Sequence, residues 1–265
     1  MNLTFFRLST LVVALVLVAL VGGAAAAGTL LGRWLRTRPE PIHQPVGAIQ
    51  AALLGLVGLI LAFGLTMAVG RYDNRRAIVV EEANAIGTTY LRAQLLDEPA
   101  RSRSLALLRR YGDQAADLAD RVPDSDRFDA DAERMETLQR ALWRQAGDAV
   151  RADPDGTAPR LYVESLNAMI DSHTDRVTSL RNLVPSTVVV LQVLGGAVAV
   201  GILALYVALL GRGLATSLLA AVVIVVILFV SIDLDRPHRG LITVPDRPLV
   251  AARAAMDEPP AASGP

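Results

Sequence analysis

The sequence contains neither cysteine nor lysine, and these two absences exclude several kinds of chemistry. All 26 basic residues are arginine, so neither a Schiff-base lysine nor a lysine-dependent phosphate site can exist. Without cysteine the chain has no disulfide, no thiolate nucleophile and no cysteine zinc ligand. The absence of cysteine also means that the sequence does not indicate whether the protein is in an oxidising or a reducing compartment. The formal net charge is zero, which gives no sign of a nucleic-acid-binding protein.

Charge is also missing from four long stretches of the chain. No Asp, Glu, Arg or Lys occurs in any of them, and each has at least 20 residues: 9–31, 44–70, 182–211 and 213–232. A helix of about 20 apolar residues crosses the hydrocarbon core of a bilayer. With 52% apolar residues and a mean hydropathy of +0.41, the sequence predicts an integral membrane protein.

The apolar stretches form an early pair and a late pair, separated by a polar segment with helical periodicity. The predicted fold is therefore all-α, with four transmembrane helices in two pairs and a helical polar domain inserted between spans 2 and 3. The first transmembrane pair is predicted over 1–70, with spans at about 8–31 and 46–70. The second pair is predicted over 184–234, with spans at about 186–210 and 213–232. The predicted polar domain is 71–183, and the tail over 235–265 is expected to be largely disordered after 245.

The first span has a second interpretation. Arg7, the apolar run and the small residues from Gly22 to Gly28 resemble a secretory signal peptide with a cleavage site. Leu30 and Leu31 extend the apolar run past the small residues, which favours a retained helix. Cleavage of residues 1–27 is the alternative, and the cleaved protein would have three spans.

Arginines flank the spans on both sides of the membrane in unequal numbers. One side has Arg33, Arg36, Arg38 and Arg212. The other side has the larger set: Arg7, Arg71, Arg75, Arg76, Arg176, Arg181, Arg236 and Arg239. Basic residues near the ends of spans favour the cytoplasmic side. We therefore expect a multi-pass protein of the cell membrane with cytoplasmic termini and a cytoplasmic central domain.

The second span is predicted to continue beyond the membrane as one helix. No proline lies between Pro45 and Pro99, and apolar residues persist at helical spacing after Gly70. A helix over 46–98 is ~80 Å long at about 1.5 Å per residue. Pairs of small residues four apart let helices approach closely, and we expect them to pack span 2 tightly on span 3. These pairs are Ala51 with Gly55, Gly58 with Ala62, and Ala197 with Gly201.

Three segments resemble those of a known protein family. RYDNRRAIVVEEANAIGTTYLRAQLL, at 71–96, is similar to the hallmark of the bestrophin-like family, once classed as a domain of unknown function. DLDRPHRGLITV, at 233–244, is similar to that family's ending. LAFGLTMAVGRYDNR, at 61–75, resembles the second membrane helix of the bestrophins themselves. The resemblance covers about 46–244.

Bestrophins are pentameric anion channels whose second helices line an apolar neck. The resemblance implies a homo-oligomer, a pentamer as in the bestrophins, that conducts small anions along its symmetry axis. Phe63 matches the neck phenylalanine, and Leu59 lies one turn earlier on the same face, where an apolar ring can gate ions by dewetting. Gly55 stands where bestrophins place a bulky group, which predicts a shorter or wider neck. The alternative is that Leu59 and Phe63 face lipid or pack against helices.

Charged residues close to the ends of spans 2 and 4 are further candidates. Arg71, Arg75 and Arg76 follow span 2, where they could concentrate anions at a pore mouth or anchor the helix at the interface. Asp233 and Asp235 follow span 4, where bestrophins carry part of a calcium clasp. Calcium takes about six to eight oxygen ligands, so two carboxylates are too few. We predict no metal site and no cofactor, and expect Asp233 and Asp235 at a solvated helix end.

No pattern typical of catalysis is present. His43, His173 and His238 are scattered, and His173 is expected to pack inside the helical domain. Glu82 and its neighbour Glu81 are expected to pair with arginines in an ordinary surface arrangement. No phosphate loop, HExxH pair or GxSxG elbow occurs. We therefore expect no enzyme.

Two hypotheses of function remain. In the first, the protein is an oligomeric anion channel of the bestrophin type. In the second, it is a non-conducting membrane scaffold or sensor whose polar domain binds a partner. In both, the bilayer is the surrounding medium and no nucleic acid is bound.

Overall fold

The computed structural model describes residues 9–37, 43–119, 126–211, 215–236 and 240–259, and within these ranges it is helical, without a β-strand. The all-α prediction is confirmed. The helices are α1 (Thr10–Leu35), α2 (His43–Ala93), α3 (Ala100–Ala119), α4 (Asp126–Ala152), α5 (Thr157–Arg181), α6 (Ser186–Leu209), α7 (Ala215–Leu234) and α8 (Arg247–Ala255).

The chain divides into two compact units. Unit 1 comprises 1–72 and 183–243, and unit 2 comprises 73–182 and 244–265. Helix α2 is uninterrupted from His43 to Ala93 and therefore contributes to both units. The prediction that span 2 continues as one helix is confirmed, with the end at Ala93 rather than at Glu98.

Unit 1 contains the apolar helices. Among the described residues, four helical stretches are long and apolar enough to cross a membrane: they lie within Thr10–Leu35, Val46–Ala93, Thr157–Leu209 and Ala215–Leu234. Helix α1 packs against α6 and α7, and α6 packs against α7. The core includes Val13, Leu17 and Val21 of α1 together with Val200 and Leu228. Helix α1 thus supplies part of this core.

Small residues bring α1, rather than α2, into the closest contact with α6. A Cβ built on Gly28 would overlap the carbonyl oxygen of Gly201, and one on Gly32 would lie 2.6 Å from that of Leu205. A Cβ built on Gly55 or Gly58, in contrast, would meet no atom of another helix within 4 Å in the described part of the chain. The expectation that the small pairs of span 2 mediate its packing on span 3 is therefore wrong at these glycines. They lie on the part of α2 that its neighbours leave uncovered.

Unit 2 is a helical bundle around one main apolar core. Helix α3 packs against α4, α4 against α5, and α3 also against α8. The C-terminal part of α2 adds Ile86 and Tyr90 to a core that includes Leu108, Met135 and Leu166. Burial of these side chains provides most of the driving force for assembling the bundle, at about 1.5–3 kcal/mol for each large apolar side chain.

The prediction that the chain is largely disordered after residue 245 is wrong over α8, which is a helix from Arg247 to Ala255. Leu249 and Met256 are 1% exposed and belong to the core of unit 2. The carbonyl oxygen of Met256 accepts hydrogen bonds from the Tyr90 hydroxyl and from Nε of Arg109, both at 3.0 Å. Arg253 pairs with Asp113. Residues 247–256 are thus an integral part of the bundle.

Candidate functional site

One face of α2 is exposed along the apolar part of the helix in unit 1. The exposed positions recur every three or four residues, as expected for one side of a helix. The set that contains both predicted neck residues is Ala52, Leu56, Leu59, Phe63, Met67 and Gly70, and we call it the α2 stripe. A second set of exposed residues lies beside it: Ala51, Gly55, Gly58, Ala62, Thr66 and Val69. No described residue of the same chain covers this apolar face.

The opposite face of α2 is buried against the rest of unit 1. Val57, Leu61 and Ala68 are at most 5% exposed. Gln192 of α6 approaches so closely that a Cβ on Gly64 would overlap its Nε2 atom. The Gln192 amide donates to the carbonyl oxygen of Ile60 at 3.4 Å. This interhelical hydrogen bond, which no residue pattern in the sequence predicts, helps to fix the rotation of α2 about its own axis.

The two predicted neck residues are both on the α2 stripe. The side chain of Phe63 is 64% exposed and that of Leu59 is 55% exposed. Their spacing of four residues places them one turn apart on the same face. Leu59 and Phe63 therefore do not pack inside their own chain, which leaves lipid, a pore or another copy of the chain as their surroundings.

The three predicted mouth arginines have different environments. Arg75 is 3% exposed and donates from Nε to the carbonyl oxygen of Ser179 at 3.3 Å and from Nη2 to that of Asn182 at 3.0 Å. Its charge therefore neutralises the carbonyl groups at the C-terminal end of α5. Arg71 lies 3.9 Å from Asp235 and its side chain is 27% exposed. Arg76 is exposed.

The two acidic calcium candidates are buried, so the expectation of a solvated helix end is wrong. Asp233 accepts hydrogen bonds from the backbone N–H groups of Leu241 and Ile242 at 2.8–3.0 Å. Asp235 accepts one from the N–H of Val184 at 2.6 Å. The described residues contain no cluster of three or more potential metal ligands. Both carboxylates thus satisfy backbone donors, as an acid at a turn or helix start commonly does.

Glycine is required beside Asp233. A Cβ on Gly240 would lie 2.7 Å from the carbonyl oxygen of Asp233 and 2.9 Å from its Oδ2 atom. Only a residue without a side chain allows the chain to return so closely over the end of α7. This constraint gives a physical reason for the Gly in the segment that resembles a family ending.

A buried polar cluster in unit 2 joins α2 to α5. Glu82 is fully buried, and its two carboxylate oxygens contact Nη1 of Arg176 at 2.6 Å and Nδ1 of His173 at 2.9 Å. Arg176 also donates to the carbonyl oxygen of Ala115 in α3 at 3.1 Å. The expectation that Glu82 forms an ordinary surface pair is therefore wrong. His173 is packed inside the bundle, as expected.

Tyr111 of α3 packs against His173 of this cluster. Its ring meets the His173 ring edge-on, with 6.2 Å between the ring centroids. Burial, with a smaller contribution from the nearby Glu82 charge, raises the pKa of the Tyr111 phenol far above its ordinary value. The phenol is therefore neutral at physiological pH, and Gln139 donates to its oxygen at 3.4 Å.

Comparison with known proteins gives a family and a fold. The model of the Bestrophin-like domain family matches residues 12–249. A mutant crystal structure of a bacterial bestrophin homologue from Klebsiella pneumoniae is 11% identical, with a TM-score of 0.68 over 89% of this chain and 97% of that chain. Another crystal structure of a bestrophin homologue from the same bacterium is 12% identical, with a TM-score of 0.64 over 93% of this chain and 95% of that chain. No curated protein matches the sequence.

Removing the buried carboxylate should destabilise the protein strongly. Glu82→Gln leaves the Arg176 guanidinium buried without its counter-charge, and breaking such a pair costs about 3–5 kcal/mol. We expect a clear fall in the thermal unfolding midpoint of the purified protein in detergent. Glu81→Gln is the matched control, because Glu81 is exposed at the preceding position of the same helix. This substitution should change the free energy of unfolding by less than about 0.5 kcal/mol. Equal effects of the two substitutions would contradict a structural role for the cluster.

Proposed function

Because this chain belongs to the Bestrophin-like domain family, we propose that it is a homo-oligomeric ion channel of the bestrophin type in the cell membrane. The α2 helices of several copies surround a central pore in this proposal. The pentamer is the assembly that the family resemblance implies. The distant structural relatives support the fold of the subunit, and the function rests on the family and on the geometry of α2.

The α2 stripe is the single observation that carries the proposal. A helix held by its neighbours on one face and uncovered on the other is what a symmetric ring of subunits needs around an axis. The alternative, that the stripe only faces lipid, leaves Gln192 and Gly64 with a precise packing but no consequence for function. In the proposal, their contact turns the stripe toward the axis.

Leu59 and Phe63 form the neck of the proposed pore. Rings of exposed apolar side chains exclude water when the passage is narrow, and ions then meet a dewetting barrier. Gly55, one turn before Leu59, adds no side chain to the ring. The proposed constriction is centred on Leu59 and Phe63, and Leu56 and Met67 follow on either side of them along the α2 stripe.

Small anions are the proposed permeant species. Arg76 is exposed on α2 and Arg71 is partly exposed, so both can raise the local anion concentration near the end of the apolar segment. Arg75 does not enter the proposal, because its guanidinium is bonded to carbonyl groups of α5 and Asn182. Asp73, which is also exposed on α2, opposes this potential and should moderate the anion preference.

The termini and unit 2 are proposed to be cytoplasmic, from the larger set of arginines on that side. A protease-cleavable tag fused after Pro265 tests this orientation. In right-side-out vesicles we expect the tag to resist added protease until the membrane is opened. Cleavage in intact vesicles would reverse the orientation without affecting the proposed pore.

Truncation of the neck should raise ion flux. Phe63→Ala removes the larger ring of the constriction, and we expect a severalfold increase in chloride flux from liposomes that contain the purified oligomer. The physical reason is a lower dewetting barrier in a wider neck. Parallel measurements with sodium and potassium gradients determine whether anions or cations pass.

Val69→Ala is the matched control for this experiment. Val69 is 41% exposed on the same helix, but it does not lie on the α2 stripe, so its truncation should leave the flux unchanged. A verified oligomer that conducts neither anions nor cations, with or without Phe63, would contradict the channel and favour a membrane scaffold or sensor. Cation flux alone would preserve the pore and overturn the anion assignment.

A further inference from the structure

The second exposed set of α2, beside the α2 stripe, contains four small residues. They recur at intervals of three or four residues and therefore lie on one side of the helix. They are Ala51, Gly55, Gly58 and Ala62, and we call them the small face. The hydroxyl of the adjacent Thr66 donates to the carbonyl oxygen of Ala62 at 2.9 Å. The small face is therefore a shallow apolar groove in which this hydroxyl is already paired.

The fold of the single chain gives no reason for glycine at two of these positions. A Cβ built on Gly55 or Gly58 would meet no atom of another described helix within 4 Å. Neither residue has a positive φ angle, so the backbone there does not need glycine either. Glycine weakens a helix relative to alanine. A close contact with a helix from outside the chain supplies the missing reason.

Helix α1 shows what such a face does when a helix covers it. Gly28 and Gly32 lie against the backbone of α6, where a Cβ would overlap the carbonyl oxygen of Gly201 or lie 2.6 Å from that of Leu205. Small residues let two membrane helices approach closely, and van der Waals contact then holds them together. The small face of α2 has the same four-residue spacing of small residues, but no described helix of its own chain covers it.

The other edge of the uncovered surface of α2 carries large side chains. Ile49, Leu56 and Met67 are exposed, and we call them the bulky face. Their spacings of seven and eleven residues are close to two and three full turns of about 3.6 residues, so they lie along one line of the helix. On a helical wheel, Leu59 and Phe63 lie between the small face and the bulky face.

We infer that the small face of one copy packs against the bulky face of the next, so that neighbouring α2 helices contact each other directly. This inference rests on the proposed function, which requires several copies around an axis. A ring needs two different, complementary surfaces on every copy. Helix α2 has both, and the neck residues between them then point to the axis.

A second copy fits the small face because it supplies large side chains at the depth of the groove. In a ring about one axis, every copy of α2 lies at the same depth in the bilayer. At about 1.5 Å per residue, Ile49 of one copy is level with Ala51 of the next to within about 3 Å. Leu56 is level with Gly55 of the next copy in the same way. Large side chains thus meet small ones along the contact, as close packing of helices requires.

The absence of cysteine from the chain allows this contact to be measured by disulfide cross-linking. Ile49→Cys and Ala51→Cys are introduced together into the full-length protein, which is oxidised mildly in membranes and separated by denaturing electrophoresis without reductant. Within one chain the two thiols point to opposite sides of α2 and cannot form a disulfide with each other. We expect a ladder of covalent multimers, because each copy is linked to two neighbours.

The cross-linking experiment has two controls. Ile49→Cys alone and Ala51→Cys alone should each remain a single band of monomer, because the contact joins unlike faces of two copies. Ile49→Cys combined with Val222→Cys should also remain monomeric on the gel. Val222 is exposed on α7, which does not take part in the inferred contact.

Gly58→Leu tests the groove itself. The added side chain meets no other described helix of its own chain, so the helical content measured by circular dichroism should stay unchanged. It overpacks the contact between copies, and the assembled fraction in native mass spectrometry should fall roughly tenfold. Gly22→Leu is the matched control, because Gly22 is exposed on α1 and a Cβ there also meets nothing within 4 Å among the described residues. This variant should assemble like the parent.

Three outcomes would overturn the inference and leave the proposed pore in place. The first is an assembled parent whose double-cysteine variant forms no covalent multimers. The second is a single-cysteine variant that forms covalent dimers as abundantly, which would mean that like faces meet. The third is full assembly of Gly58→Leu, which would assign the small face to lipid. A parent chain that is monomeric in native mass spectrometry would instead overturn the proposed ring together with this inference.

Discussion

The whole architecture depends on how α2 is held on one of its faces. In unit 1, Leu61 is buried and the Gln192 amide bonds to the backbone at Ile60. In unit 2, Ile86 joins the core and Glu82 is bonded to α5. A hydrogen bond or ion pair has a preferred direction, whereas apolar contact alone tolerates rotation of a helix about its axis. The polar contacts therefore determine which side chains α2 leaves uncovered, and the proposed pore depends on that choice.

The polar groups that the structure buries are costly to bury unless they are paired. A buried unpaired polar group costs about 1–3 kcal/mol, and a charged one more. Glu82 meets Arg176 and His173, and Asp233 and Asp235 accept from backbone N–H groups. These acids hold turns and helices in place. The two acids at the end of α7 therefore have a structural role.

The sequence predicted the architecture well and the polar interior poorly, for a physical reason. Membrane helices are recognisable because their whole length must be apolar, and the long α2 was recognisable because proline is absent between Pro45 and Pro99. These are local properties of the chain. The partners of Glu82, in contrast, lie more than 90 residues away, and no spacing rule connects positions so distant.

The C-terminal helix was missed for a related reason. Its segment is rich in alanine and proline, a composition that does not by itself predict a stable helix. Leu249 and Met256 become buried only because α3 and α2 offer them a surface, and Tyr90 and Arg109 bond to the Met256 carbonyl. Of the candidate site, the positions of Leu59 and Phe63 on one face could be predicted from helical spacing. The burial of Arg75 could not, since it depends on the end of α5.

Cysteine accessibility along α2 tests the central claim most directly, because the natural chain has no cysteine and each introduced thiol is unique. In membranes containing the assembled protein, Phe63→Cys should react with a small charged, membrane-impermeant thiol reagent. In the proposed assembly this position faces the pore, and replacing the phenylalanine ring by the smaller cysteine widens the neck and admits water. Leu219→Cys on α7, which is 66% exposed in the chain and expected to face lipid, should react only with a lipid-soluble reagent. Reaction of both cysteines with the lipid-soluble reagent alone would contradict the account, because the α2 stripe would then face the bilayer.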